Sequence, residues 1–240
     1  MVSKKWLKVV KRLHQKKYRN EESLFFVEGI KTVKELLATQ LPLEKLLVTQ
    51  EHRDAFNTYE FDIISKEDLA KISALRTPPG VLAVFRMPFK TEVEEKGWIV
   101  ALDDVRDPGN LGTIIRLCDW FGVTQLVCSQ ATVDCYNPKV LQATMGSIAR
   151  IAITYLDLPN FLSQTKATVY GAFMEGDVVY QKELPASGVL VMGNEANGVS
   201  ESVAKHISQK ISIPQFGKAT AESLNVATAT AILLNEIRRG

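Results

Sequence analysis

Leu102-Asp-Asp-Val-Arg-Asp-Pro-Gly-Asn110-Leu-Gly112-Thr-Ile-Ile-Arg116 runs from an apolar β-type segment through a Pro-Gly turn into a helical pattern. Two later blocks share this arrangement: Val191-Met192-Gly193-Asn-Glu195-Ala-Asn197-Gly198, and Ile213-Pro214 followed by Ser223-Leu224-Asn225-Val226. Open α/β sheets bind ligands where loops leave the carboxyl ends of strands. Three such loops predict a mostly parallel sheet, covered on both faces, with a site at one end.

Outward from these blocks, strands are expected at 99–102, 125–128, 150–155, 168–173, 188–192 and 210–213. Helices are expected at 111–121, 138–144, 159–165, 201–206 and 224–238. Residues 1–87 read as a smaller α/β unit, with a basic helix, strands at 24–27, 45–48, 62–64 and 81–85, and helices at 31–38 and 66–73. Pro88 to Gly97 breaks the pattern with Pro, Gly and dense charge, which puts a domain boundary near residue 92. The expected domains are therefore 1–91 and 92–240.

The net charge of +2 conceals an asymmetry. Residues 1–90 carry 17 Lys/Arg against 11 Asp/Glu, or +6, and residues 91–240 carry 12 against 16, or −4. Lys4, Lys5, Lys8, Lys11, Arg12, Lys16, Lys17 and Arg19 fall in the first 20 residues without one acidic group. That is the footprint of a polyanion-binding arm, and these eight are the candidate nucleic-acid contacts. A solvated helix face is the competing reading, since Trp6, Val9, Val10 and Leu13 recur at helical spacing. No apolar run has the length of a membrane span and Met1-Val-Ser-Lys-Lys is not a secretory signal, so a cytoplasmic protein is expected. Cys118, Cys128 and Cys135 lack metal-ligand spacing and are read as reduced core residues, with no metal.

Asn110 can cap the helix that follows it, and Arg116, less than two turns into that helix, can reach back to the loop. Its planar cation suits a phosphate or a growing negative charge; alternatively, Arg116 pairs with Asp119 or Asp104. Gly193 and Gly198 frame a loop in which main-chain groups can meet a flat heterocycle and Glu195 offers an acceptor. Ser223 can act as an N-cap. There is no phosphate loop or dinucleotide fingerprint, and His14, His52 and His206 lie outside the blocks. Asp103, Asp104 and Asp107 as a magnesium site is a distant third reading.

In order and spacing, Asn110-x-Gly112-x-x-x-Arg116, Gly193-x-Glu195-x-x-Gly198, and Ile213-Pro214 with Ser223-Leu224-Asn225-Val226 closely resemble the three motifs of the SpoU (TrmH) methyltransferases of the SPOUT superfamily. Phe26-Val27-Glu28-Gly29 and Thr77-Pro-Pro-Gly80 resemble the family's ribosomal-protein-like substrate-binding domain. The resemblance implies a C-terminal α/β trefoil-knot domain, one of the rare exceptions to unknotted topology. It implies S-adenosyl-L-methionine as methyl donor, bound at Met192, Gly193, Gly198, Ile213 and Leu224. It further implies 2′-O-methylation of RNA ribose, with Arg116 essential and Asn110, Glu195, Ser223 and Asn225 fixing donor, substrate and arginine.

Arg116 is either tuned into a base by desolvation and a substrate phosphate, or it orients the hydroxyl and stabilises the oxyanion. With nothing after Gly240, ribosomal RNA is expected over transfer RNA, by fold-level analogy. A homodimer through the catalytic domain is expected, with Leu224, Ala227, Ala231, Leu234 and Ile237 near the interface. A chain lacking residues 1–90 is expected to fold and bind donor. The competing class is a non-enzymatic RNA-binding or ribosome-assembly protein on the same fold.

Overall fold

A computed structural model describes residues 2–89, 92–217 and 223–239. The chain divides into two compact units, Met1–Phe89 with Asp134–Ala149, and Lys90–Val133 with Arg150–Gly240.

The first unit opens with α1 (Lys4–Leu13) and α2 (Lys16–Glu22), separated by the extended backbone of Gln15, where one basic helix was expected. β1 (Leu24–Glu28), α3 (Ile30–Leu37), β2 (Leu43–Val48), β3 (Asp62–Ile63), α4 (Lys66–Ile72) and β4 (Val81–Arg86) follow. The sheet order is β1-β4-β2-β3, antiparallel except between β2 and β3. Val10 and Leu13 of α1 are fully buried, in a core with Phe26, Leu47, Leu69, Ile72, Leu82 and Val84, which turns the lysines of that helix to solvent.

The second unit begins with β5 (Trp98–Leu102), α5 (Pro108–Trp120) and β6 (Gln125–Ser129). The chain then leaves it for α6 (Pro138–Thr144), which packs on β1 of the first unit and buries Val140 and Leu141. This corrects the expected 92–240 domain: residues 134–149 continue its sequence but fold with the other unit, because the apolar face of α6 is buried there. β7 (Ala152–Leu156), α7 (Leu158–Gln164), β8 (Val169–Val178), β9 (Gly188–Met192), α8 (Glu201–Ala204), β10 (Gln209–Ser212) and α9 (Val226–Arg239) complete the chain.

The strand order is β10-β8-β9-β5-β6-β7, and every pair is parallel. All five residues of β5 and of β9 are buried, the mark of central strands covered on both faces. β8 runs five residues beyond the expected Phe173, and its pairing with β10 shifts register between Lys210 and Ile211. Among the described residues no helix is long and apolar enough to cross a membrane. The three cysteines are buried and none is in a disulfide, and burial pushes the Cys118 thiol up to about 12, so it is inert at neutral pH.

Candidate active site

The motif residues lie on loops that leave the carboxyl ends of β5, β9 and β10, all in the second unit. After β5 the backbone turns sharply at Asp104, whose φ of 59° is left-handed. Its N–H donates to Ser129 Oγ at 2.9 Å and its carbonyl accepts from Asn194 Nδ2 at 2.6 Å. Asp107 then caps α5, its Oδ1 accepting the Asn110 N–H at 2.8 Å, with Pro108 in the first turn. The expected cap, Asn110, therefore lies inside the first turn, and its side chain serves another purpose.

That side chain joins the three loops. Asn110 Nδ2 donates to Glu195 Oε1 at 2.9 Å, and Asn225 Nδ2 donates to Asn110 Oδ1 at 2.9 Å. The main-chain N–H groups of Arg106 and Asp107 face the Glu195 carboxylate at 3.4 Å. Asn225 Oδ1 accepts from the N–H groups of Ala227 and Thr228 at 2.9 and 3.2 Å, so the cap of α9 is Asn225 and not Ser223, which is exposed. Arg116 is exposed on α5. Its expected alternative partners are engaged elsewhere, Asp119 with Arg150 and Asp104 with Arg106, both at 2.8 Å. No acidic group pairs with Arg116 among the described residues.

The loop after β9 closes on itself. Asn194 and Gly198 exchange main-chain hydrogen bonds of 2.8 and 2.9 Å, and Gly198 has a φ of 66°. A Cβ on Gly193 would meet the carbonyl carbon of Gly198 at 2.3 Å and the nitrogen of Val199 at 2.4 Å. The close approach that requires glycine here is thus made by the chain's own backbone. Met192 is buried at the end of β9, Ile213 is half-buried, and Leu224 is 49% exposed.

Sequence reasoning missed the supporting residues Asn194, Ser129 and Arg106. Asp107 was legible, since Asp directly before a proline at the start of a helical pattern is a helix-start signal.

Of the eight candidate RNA contacts in the first unit, Lys4, Lys5, Lys8 and Lys11 are exposed on α1. Lys16 is exposed as well. Arg12 lies 3.5 Å from both Glu21 and Glu22 and covers the Tyr18 ring at 4.2 Å, and Lys17 lies 3.8 Å from Glu21. Arg19 is a correction. Its side chain is 3% exposed, pairs with Asp134, and donates to the Leu13 carbonyl at 2.8 Å. A buried, paired guanidinium is not available to RNA phosphates.

Residues 97–235 match a family model described as the SpoU rRNA Methylase family. The chain belongs to the SpoU family. Residues 4–83 match a second model, the MRM3-like substrate binding domain. Among relatives of this SpoU protein, the 23S rRNA (guanosine(2553)-2′-O)-methyltransferase RlmP of Bacillus subtilis is 33% identical, over 95% of this chain and 94% of its own. A TrmH-family structure from Porphyromonas gingivalis is 37% identical with a TM-score of 0.90, covering 100% of this chain and 99% of that one. An AdoMet-bound rRNA methyltransferase from Sinorhizobium meliloti is 30% identical with a TM-score of 0.85, covering 100% and 97%.

Proposed function

We propose that this SpoU-family protein methylates ribose 2′-hydroxyls of RNA, with S-adenosylmethionine as donor and ribosomal rather than transfer RNA as substrate. The observation that carries the reading is the hydrogen-bond chain Glu195–Asn110–Asn225, which draws three loops distant in sequence into one constellation beside the exposed Arg116 of α5. The relatives named for 23S rRNA 2′-O-methylation and the AdoMet-bound neighbour support the substrate and the donor.

The residues present suit that donor. An adenosine needs apolar surface on its faces and main-chain partners at its edge. Exposed Leu224, half-buried Ile213 and the main chain of the Gly193–Gly198 loop after Met192 provide them. When bound, the donor supplies an electrophilic methyl group. Glu195 holds Asn110 through a charge-assisted bond, Asn225 holds it from the other side, and together they set the first turn of α5. Arg116 offers a fork of N–H donors and no acceptor, so it orients the ribose hydroxyl and stabilises the charge that grows on its oxygen. Ser223, exposed and two residues before Asn225, is read as a further donor to the substrate.

In the first unit, Lys4, Lys5, Lys8, Lys11, Lys16 and Lys17, with Arg12, form the arm that contacts RNA phosphates. The C-terminal region is read as a trefoil knot and the assembly as a cytoplasmic homodimer through the catalytic unit. Exposed Trp120, at 82% on α5, supports such an interface, since α5 packs beside α9.

Mapping 2′-O-methyl marks in cells with and without the gene tests the function, alongside transfer to purified ribosomal RNA. One ribosomal position should lose its mark, and the protein should restore it in vitro. Unchanged marks and no transfer would leave an RNA-binding or assembly protein on the same fold.

A further inference from the structure

Arg106 is the one arginine of the site's first loop, and its guanidinium is held without being consumed. Its Nε donates to Asp104 Oδ1 at 2.8 Å, while the side chain remains 70% exposed and its two terminal nitrogens have no acceptor among the described residues. Asp104 is itself held on both sides, by Ser129 Oγ at its N–H and by Asn194 Nδ2 at its carbonyl. Ser129 Oγ in turn lies 3.1 Å from Thr132 Oγ1, which donates to the Leu102 carbonyl at 3.3 Å.

This scaffolding does little for stability. An exposed ion pair contributes almost nothing, and a left-handed aspartate is a strained conformation of the kind that persists at functional sites. Its effect is to fix the direction of one cation. Arg106 carries that cation beside the reacting cluster, since its main-chain N–H faces Glu195 Oε2 at 3.4 Å, and Glu195 holds Asn110. A guanidinium tied through Nε keeps its outer pair of nitrogens for two parallel bonds to an anion, a geometry that phosphate oxygens match.

We infer that Arg106 binds a backbone phosphate of the RNA next to the target ribose, with Asp104 as its positioning residue. The inference rests on the RNA methyltransferase reading above and separates two tasks: Arg106 sets the register of the strand and Arg116 serves the hydroxyl. A substrate approaching this edge without a phosphate at that place loses an anchor; the reaction chemistry itself is untouched.

The test combines variants with RNA oligonucleotides in which single phosphates around the methylated nucleotide are replaced by neutral methylphosphonates, read by Kd and by steady-state kinetics. Arg106→Ala should raise Kd and KM for RNA by about tenfold, as loss of a charged hydrogen-bonded contact does, with kcat within a few-fold. It should also lower the slope of log Kd against log salt by about one. Arg106→Lys should restore the slope and only part of the affinity. Asp104→Asn should raise KM with the slope intact.

One methylphosphonate should weaken wild type and have no further effect on Arg106→Ala. If every methylphosphonate weakens both proteins equally, or if Arg106→Ala keeps the wild-type Kd and slope, the inference is wrong. The binding arm separates it from the functional reading. Coupling of one phosphate to Arg106 in a protein that transfers no methyl group would uphold the anion site and defeat the enzyme. Transfer by wild type without such coupling would do the reverse.

Discussion

At Gly193 the chain's own packing requires glycine, whatever a ligand also requires there. The sequence marks it as a place where a ligand approaches the backbone, yet a Cβ there would sit 2.3–2.6 Å from atoms of Gly198 and Val199. Gly193→Ala should therefore open the loop, sacrificing the two Asn194–Gly198 main-chain bonds at about 1 kcal/mol each. Donor affinity and melting temperature should fall together, in calorimetry and thermal unfolding. A variant that loses donor affinity at unchanged Tm would restore the ligand-contact reading.

Arg116→Ala should behave oppositely. Transfer should drop at least about a hundredfold, as for removal of a charge-stabilising donor, while Tm is unchanged and donor affinity stays within a few-fold of wild type. Near-normal single-turnover rates would remove Arg116 from the mechanism. Glu28, in the first unit, presents a pH effect. Burial raises its pKa against the lowering influence of Ser73 Oγ, 2.5 Å from Oε2, and the Ala74 N–H, 2.7 Å from Oε1. A raised folded-state pKa means that its contribution to stability is fully present below about 4.3, the unfolded value, and is lost as pH rises through the folded value. Glu28→Gln keeps an acceptor for Ala74 and should flatten the dependence of Tm on pH between those two values; an unchanged slope would show that Glu28 does not set it.

At the scale of elements, α5 and α9 lie side by side and parallel. Asn225 joins the start of α9 to Asn110 in the first turn of α5, while Arg238 at its far end donates to the carbonyls of Phe121 and Gly122 at 2.7 and 2.9 Å. These carbonyls lie just past the end of α5, where a cation also meets the negative end of the helix dipole. The pair holds Arg116 on a helix fixed at both ends. In the first unit, α2 is tied to the segment before α6 by the buried pair Arg19–Asp134, 3% and 13% exposed. Removing one partner strands a buried charge. Asp134→Ala should cost about 3–5 kcal/mol, and the double variant Arg19→Met/Asp134→Leu should recover much of it. Urea denaturation measures both; equal stability of the single and double variants would mean that the cost came from elsewhere.

For the whole molecule, the excursion of residues 134–149 alters what truncation does. A chain lacking residues 1–90 was expected to fold, but it would retain α6 with Val140 and Leu141 bared and Asp134 without Arg19. It should aggregate, whereas the same deletion with residues 134–149 replaced by a short polar linker should stay soluble and bind donor. Light scattering and calorimetry distinguish them, and a soluble, donor-binding simple truncation would overturn the argument. The same instrument tests assembly: the full chain should scatter at twice 26.7 kDa, and Trp120→Glu should shift it toward monomer. Ala227, Leu234 and Ile237, expected at an interface, are buried within the chain itself, which leaves exposed Trp120 as the better probe.

The sequence by itself determined the alternation of strands and helices in the second unit, the identity of the three motif loops and the charge asymmetry, because each is written in local period, turn residues or composition. β9 and α6 fall where periodicity puts them, and most other ends move by one to three residues. Only the tertiary structure decided the partners. That Asn110 bridges Glu195 and Asn225 across 85 and 115 residues, that Arg19 is interior, and that α6 belongs with the first unit all depend on long-range burial and hydrogen bonding. A local pattern shows that a side chain needs a partner; the folded chain alone determines which group is near enough to be one.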